Sequence, residues 1–275
     1  MAEPGVRRAL TTWVRNYVAA PRYSASDRLR LRTADGVALS AARINRCTDP
    51  VCTVVLIHGF TNWSRNPRIY GFAHALARGV DVIVPDLRGH GRSGGRCSLG
   101  RDEPLDVAAA VDAARPDRPV VTVGVSMGGV ATLLHAGRTQ GVAGTIAVSA
   151  PATWRGLTSR GATSVRRYVG TRPGRIALAA LCRTRVLPGM PAPVDGAAAT
   201  IGAISPAFTV LVHDRDDRYF PPEHAETLYA WANDPKELWW SDGAGHGVDL
   251  LTTGLADRVL ALLVDRLRPR SSPSP

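Results

Sequence analysis

The sequence predicts an α/β fold, a mostly parallel central sheet with helices on both faces and a small cap insertion. Three observations carry this expectation. Short β-rich apolar runs recur along the chain, helical patterns lie between them, and one interval is far too long for an ordinary crossover.

The strands come first. Residues 27–44 alternate apolar and polar around Asp35-Gly36, a favoured hairpin turn. Six further runs follow: "CTVVLI" (52–57), "VDVIVP" (80–85), "VVTVGV" (120–125), "TIAVSA" (145–150), "FTVLVH" (208–213) and "ELWW" (237–240). Most are apolar on both faces, as in a parallel sheet covered on both sides, and the hairpin adds antiparallel strands at one edge. Helical patterns fill 69–79, 104–115, 129–138, 222–232 and 254–267, and right-handed crossovers follow from the alternation. The interval 151–205, rich in Gly, Pro and Arg, is expected to form the cap, with the core in 27–150 and 206–268. Residues 1–26 read as a helical extension and 269–275 as a disordered tail. In the extension, Val6, Leu10, Trp13, Val14, Tyr17 and Val18 share one helical face. Such a helix either docks on the body or, flanked by arginines, lies on a membrane surface.

Composition narrows the class. At 275 residues, with 45% hydrophobic and 21% charged, the chain can bury one sizeable core. The net charge is +11, carried almost wholly by arginine, since Lys236 is the single lysine. Arginine excess alongside abundant Ala, Gly and Pro fits compositional bias as well as attraction of acidic partners. Cys47, Cys52, Cys97 and Cys182 lack paired C-x-x-C spacing, so no metal site is expected. A Cys47–Cys52 bridge is conceivable, but reduced thiols and a cytoplasmic setting are the reading adopted. No apolar run reaches transmembrane length, and Arg15 interrupts the N-terminal stretch before any signal-peptide core. Nothing in the sequence sets an oligomeric state.

The chemistry centres on "TVGVSMGGVATLL", residues 122–134. A serine turning tightly from strand into helix needs small neighbours two residues to either side. Gly124 and Gly128 supply them around Ser126, with Gly129 spare. The turn exposes the hydroxyl above the sheet and directs the Met127 amide at whatever Ser126 attacks, aided by the helix dipole. A serine needs a base. His246, among small residues in "SDGAGHGVDL" after the last strand, fits better than His74, His135 and His224 in helical patterns or His213 at a strand end. An orienting carboxylate must come from "DRDDRYFP", where spacing leaves Asp214, Asp216 and Asp217 open. The second oxyanion donor is expected at the Phe60 amide in "VLIHGFTNW", with His58 structural and Trp63 lining the substrate pocket.

In these blocks the chain resembles an α/β-hydrolase over roughly residues 27–268. "HGF" (58–60), "DLRGHGRSGG" (86–95), "GVSMGG" (124–129) and "GAGHG" (243–247) carry the resemblance, and the second block is similar to lysophospholipase-like and carboxylesterase-like branches. "HDRDDRYFPPEHAE" (213–226) is similar to the family's acid loop, whose aspartate stands four residues before a proline. The resemblance therefore implies Asp217, before Pro221, as third member of a Ser126–His246–Asp217 triad. It implies a cofactor-free serine hydrolase acting on a small-molecule ester or thioester, with an acyltransferase or a non-catalytic binding protein of the same fold as alternatives. Gly89-His90-Gly91-Arg92-Ser93-Gly94 matches a dinucleotide fingerprint by letter, but an earlier strand precedes it and no acidic residue ends the next strand, so NAD or FAD binding is not expected.

Residues 151–194 hold Arg155, Arg160, Arg166, Arg167, Arg172, Arg175, Arg183 and Arg185, and no Asp or Glu. Two readings stand: a solvated face, or attraction of an anionic substrate, an acyl-carrier phosphopantetheine or a phospholipid surface. The scarcity of aromatics for base stacking argues against nucleic acid. Trp154, Ile176, Leu178 and Leu181 are expected to help enclose an acyl group.

Overall fold

The computed structural model describes residues 10–18, 26–154, 159–188, 197 and 200–268. Eight strands form one sheet: β1 (Ser26–Arg32), β2 (Ala38–Ile44), β3 (Thr53–Ile57), β4 (Asp81–Pro85), β5 (Val120–Val125), β6 (Gly144–Val148), β7 (Phe208–Asp214) and β8 (Lys236–Ser241). Their spatial order is β1-β2-β4-β3-β5-β6-β7-β8. The β1–β2 hairpin is antiparallel, β2 joins β4 antiparallel, and every later pairing is parallel. Among the described residues they are accompanied by α1 (Pro67–Leu76), α2 (Glu103–Asp112), α3 (Met127–Thr139), α4 (Arg160–Gly170), α5 (Arg172–Cys182), α6 (Glu223–Trp231) and α7 (Thr253–Leu267).

Strand alternation assigns the core. Val54 and Leu56 face one side with Val82, Val84, Val121 and Val123, where residues of α1 and α7 cover them. Val55, Ile57 and Ile83 face the other, under Met127 and Ala131 of α3. Ten consecutive residues of α3, Met127 to Ala136, are buried, so this helix is enclosed rather than amphipathic. Because α1 follows β3 on one face and α3 follows β5 on the other, the connections diverge between these two adjacent strands. A crevice opens there at their carboxyl ends.

The long interval after β6 carries α4 and α5, and each is started by a hydroxyl cap. Ser159 Oγ accepts from Ala162 N and Thr171 Oγ1 from Gly174 N, both at 3.2 Å. The interval then returns along the β4–α2 loop, where Arg185 N donates to Gly89 O at 2.8 Å. Residues 10–18 form a helical segment ending in a π-helical turn, Val14–Val18. It docks on the body: Trp13 Nε1 donates to Leu181 O, Tyr17 Oη to Thr61 O, and Trp63 Nε1 to Asn16 O at 2.9 Å. Val6 and the tail lie outside the described residues. The four cysteines are free thiols. Among the described residues no helix is long and apolar enough to cross a membrane.

The G-x-G-x-x-G run knits loops together. Asp86 accepts from Ser64 N at 2.8 Å and Arg92 N at 2.9 Å, and Ser93 Oγ accepts from Ser40 N at 2.9 Å. A Cβ at Gly89 would lie 2.3 Å from Arg185 O, so the glycine is needed for close approach of protein backbone. Beside it, Arg88 (4% exposed) pairs through Nε with the fully buried Asp106 at 2.8 Å and through its terminal nitrogens with Asp35. Two buried imidazoles complete this region. His58 Nδ1 donates to Gly59 O at 2.9 Å while its Nε2 accepts from Leu87 N at 3.0 Å, which fixes the tautomer. His90 packs edge-on against it at 5.0 Å. Burial holds the pKa of both below the ordinary histidine value.

Two stability predictions follow from these buried groups. Arg88→Leu strands Asp106 without a counter-charge and is expected to lower unfolding free energy by about 3–5 kcal/mol, read by urea titration. The buried histidines stay neutral when folded but protonate in the unfolded chain below their ordinary value of 6.5. The unfolded state therefore binds more protons there, and each such histidine makes stability fall as pH drops below 6.5. In urea titrations between pH 7 and 5, stability should fall less steeply with falling pH in His90→Gln than in the wild type; an unchanged slope in that variant contradicts the assignment.

Candidate active site

Ser126 stands where β5 turns into α3, with φ 53° and ψ −116°. A non-glycine residue at positive φ is strained and persists only where its surroundings impose it. Here the imposition is steric. A Cβ at Gly124 would lie 2.4 Å from Gly128 O, and one at Gly128 would lie 2.5 Å from His58 O. Gly129, expected to be spare, is not: a Cβ there would meet Ala150 Cβ at 2.8 Å. Gly124 and Gly128 thus let β5, α3 and the β3 loop touch, and Gly129 lets α3 approach the segment after β6.

The structure brings Ser126, His246 and Asp217 together from three distant loops. His246 Nε2 is 3.0 Å from Ser126 Oγ, and His246 Nδ1 is 2.6 Å from Asp217 Oδ2. The Asp217 carboxylate is fully buried, and its Oδ1 accepts from Tyr219 N at 2.8 Å and Phe220 N at 3.1 Å. These bonds fix its direction and keep an acceptor turned to the imidazole. The alternatives lie elsewhere. Asp216 is exposed. Asp214 is buried but bonds Ala244 N and Asp216 N, at 2.8 and 2.9 Å, and so braces the loop that carries His246. Burial pushes its carboxyl up, but these backbone donors outweigh that and hold it below the usual range.

The histidine loop needs its glycines. Gly245 and Gly247 flank His246 at φ 104° and 60°. Gly247 N donates to Ser149 Oγ at 3.0 Å, a brace that no local motif announces. The imidazole also meets two rings, Tyr219 at 4.5 Å between centroids and Phe220 at 5.3 Å. Both follow the acid on its own loop, and the sequence offers no signal of their ring contacts with His246, 27 and 26 residues away.

Beside Ser126 the β3 loop passes within contact: a Cβ at Gly59 would lie 3.3 Å from Ser126 Cβ. Phe60 comes next, and neither its amide nor that of Met127 meets an acceptor among the described residues. A cleft of about 230 Å³ opens over the serine. Phe60, Leu99, Trp154, Val165, Phe220 and Val248 give it an apolar wall, and Asn62, Arg218 and Asp249 sit among its polar lining. Trp63 does not line it: its ring is buried, its indole N–H is bound to Asn16 O, and Arg183 lies over it at 5.1 Å. Of the insertion residues expected around an acyl group, Trp154 lines the cleft. Leu178 is buried in the core below, and Ile176 and Leu181 point to solvent. Val165 of α4 takes that place.

A family model described as "Alpha/beta hydrolase family" matches residues 54–273. Among solved structures, the esterase Pf2001 of Pyrococcus furiosus has a TM-score of 0.69 at 20% identity, covering 91% of this chain and 98% of that one. The hypothetical protein PA2218 of Pseudomonas aeruginosa has 0.67 at 20% identity, covering 93% and 97%. XC6422 of Xanthomonas campestris, described as a serine hydrolase without a lid, has 0.61 at 18% identity, covering 92% and 100%. No curated protein sequence matches this chain. With four-fifths of its length under one family model, the chain belongs to the alpha/beta hydrolase family.

Proposed function

We propose that the protein is a serine hydrolase of carboxylic esters or thioesters that works through an acyl-enzyme on Ser126. One observation carries the reading: the unbroken hydrogen-bond chain from Ser126 Oγ through His246 to the buried carboxylate of Asp217. His246 Nε2 removes the hydroxyl proton as Oγ attacks the carbonyl carbon. Asp217 holds the imidazole with Nε2 unprotonated before attack and stabilises the imidazolium afterwards. The carbonyl oxygen, now anionic, takes hydrogen bonds from the Phe60 and Met127 amides at the amino end of α3. The tetrahedral intermediate collapses, His246 gives its proton to the departing alkoxide or thiolate, and the acyl group remains on Oγ. Water, deprotonated by His246, then attacks the acyl carbon, and carboxylate and free serine are released.

The apolar wall of the cleft fits the acyl side of the substrate, and the insertion acts as its cap through Trp154 and Val165. Each methylene buried there is worth about 0.8 kcal/mol, roughly a fourfold gain in kcat/KM until the cleft is full.

A fluorophosphonate probe tests the nucleophile directly: wild type labels and Ser126→Ala does not, and equal labelling of both, or of neither, removes the basis of the proposal. Asp217→Asn is expected to lower kcat by about 10⁴ through the wrong imidazole tautomer. Asp216→Asn, exposed and outside the chain of bonds, should leave kcat within about twofold. A p-nitrophenyl ester series from acetate upward should trace the stepwise rise and its end point.

A further inference from the structure

The helical segment 10–18 turns Trp13, Asn16 and Tyr17 inward, and this leaves a stripe outward. Leu10, Val14 and Val18, four residues apart, are 59%, 37% and 63% exposed. Apolar side chains so spaced and so exposed are unusual on a surface that meets only water. The stripe has neighbours of like character. Trp13 reaches Leu181 O at the end of α5, and Leu181 and Ile176 of that helix and Tyr168 of α4 are themselves exposed. On α5 the outward positions Arg172, Ile176, Ala179 and Ala180 follow helical spacing opposite the buried Gly174 and Leu178.

Charge identifies the occupant. The stretch 151–194 contains eight arginines and no acidic residue, and Arg167 and Arg172 are exposed on its two helices. Arg15 is exposed on the N-terminal segment. Arginines with aliphatic stems beside apolar side chains match a surface that is hydrocarbon below and anionic above. A second copy of this chain would set one cationic face against another, which charge repulsion disfavours.

We propose that the N-terminal helix and the α4–α5 cap together form a docking face for an anionic lipid bilayer. The N-terminal segment that carries this face abuts the cleft: Tyr17 bonds Thr61 O, and Thr61 lines the cleft over Ser126. Docking would therefore set the opening beside the lipid surface from which an ester-bearing molecule could pass. The docking itself is independent of the acyl-enzyme reading, although the delivery of substrate rests on it.

The test uses the full chain as Ser126→Ala, so that turnover plays no part, in sedimentation with sucrose-loaded vesicles. Binding to phosphatidylcholine vesicles containing about a third phosphatidylglycerol should exceed binding to pure phosphatidylcholine at least tenfold, and fall steeply in 0.5 M salt. Leu10→Asp/Val14→Asp and, separately, Arg167→Gln/Arg172→Gln should each weaken it by about tenfold. The same changes in the Ser126 background should leave hydrolysis of p-nitrophenyl acetate unchanged, which shows that the fold and site are intact. No binding to the anionic vesicles overturns the proposal, as does binding that neither pair of substitutions weakens. A dimer in gel filtration that Leu10→Asp/Val14→Asp dissolves, without vesicle binding, would assign the face to self-association instead.

Discussion

The close crossing of β5, α3 and the β3 loop is the constraint on which the site depends. Backbone passes backbone at Gly124 and Gly128 with no room for a side chain, and Gly59 packs tightly against Val125 and Ser126. That proximity forces Ser126 into positive φ and lifts its hydroxyl clear of the sheet. The same proximity carries Phe60 beside Ser126. The sterics of one crossing thus bring the Ser126 turn and the segment carrying Phe60 side by side before any other loop is considered.

The remaining groups arrive from loops at the carboxyl ends of β7 and β8, and two aspartates three residues apart divide the work between them. Asp214 binds backbone on the histidine loop, and Asp217 binds the imidazole itself. Each is satisfied by several backbone donors, which is what lets carboxylates remain buried so near each other. The histidine loop is short and glycine-rich and leans on these polar bonds, whereas the acid loop also packs through the buried Phe220.

What could be read from the sequence depended on whether its cause was local. The strand–helix alternation and the Ser126 turn are written in adjacent residues, and the structure has both. The acid was not local in this sense: spacing left Asp214, Asp216 and Asp217 equivalent, and only resemblance to a family separated them. Ser149, Tyr219 and Phe220 escaped notice because their relevance lies in contacts with residues far along the chain. Trp63, Ile176 and Leu181 were misplaced for a related reason. Apolar character announces that a side chain seeks cover, but which partner claims it is decided by tertiary packing: Trp63 is claimed by the N-terminal helix, and the other two stay exposed among the described residues.

The N–H groups of Phe60 and Met127, proposed above as the oxyanion donors, belong to the main chain, and this has a consequence for how the protein can be dissected. An alanine scan exchanges what lies beyond Cβ and leaves both donors in place, so it would pass over them in silence. Only chemistry that edits the peptide link itself, such as an amide-to-ester replacement made by semisynthesis, would reveal what they contribute.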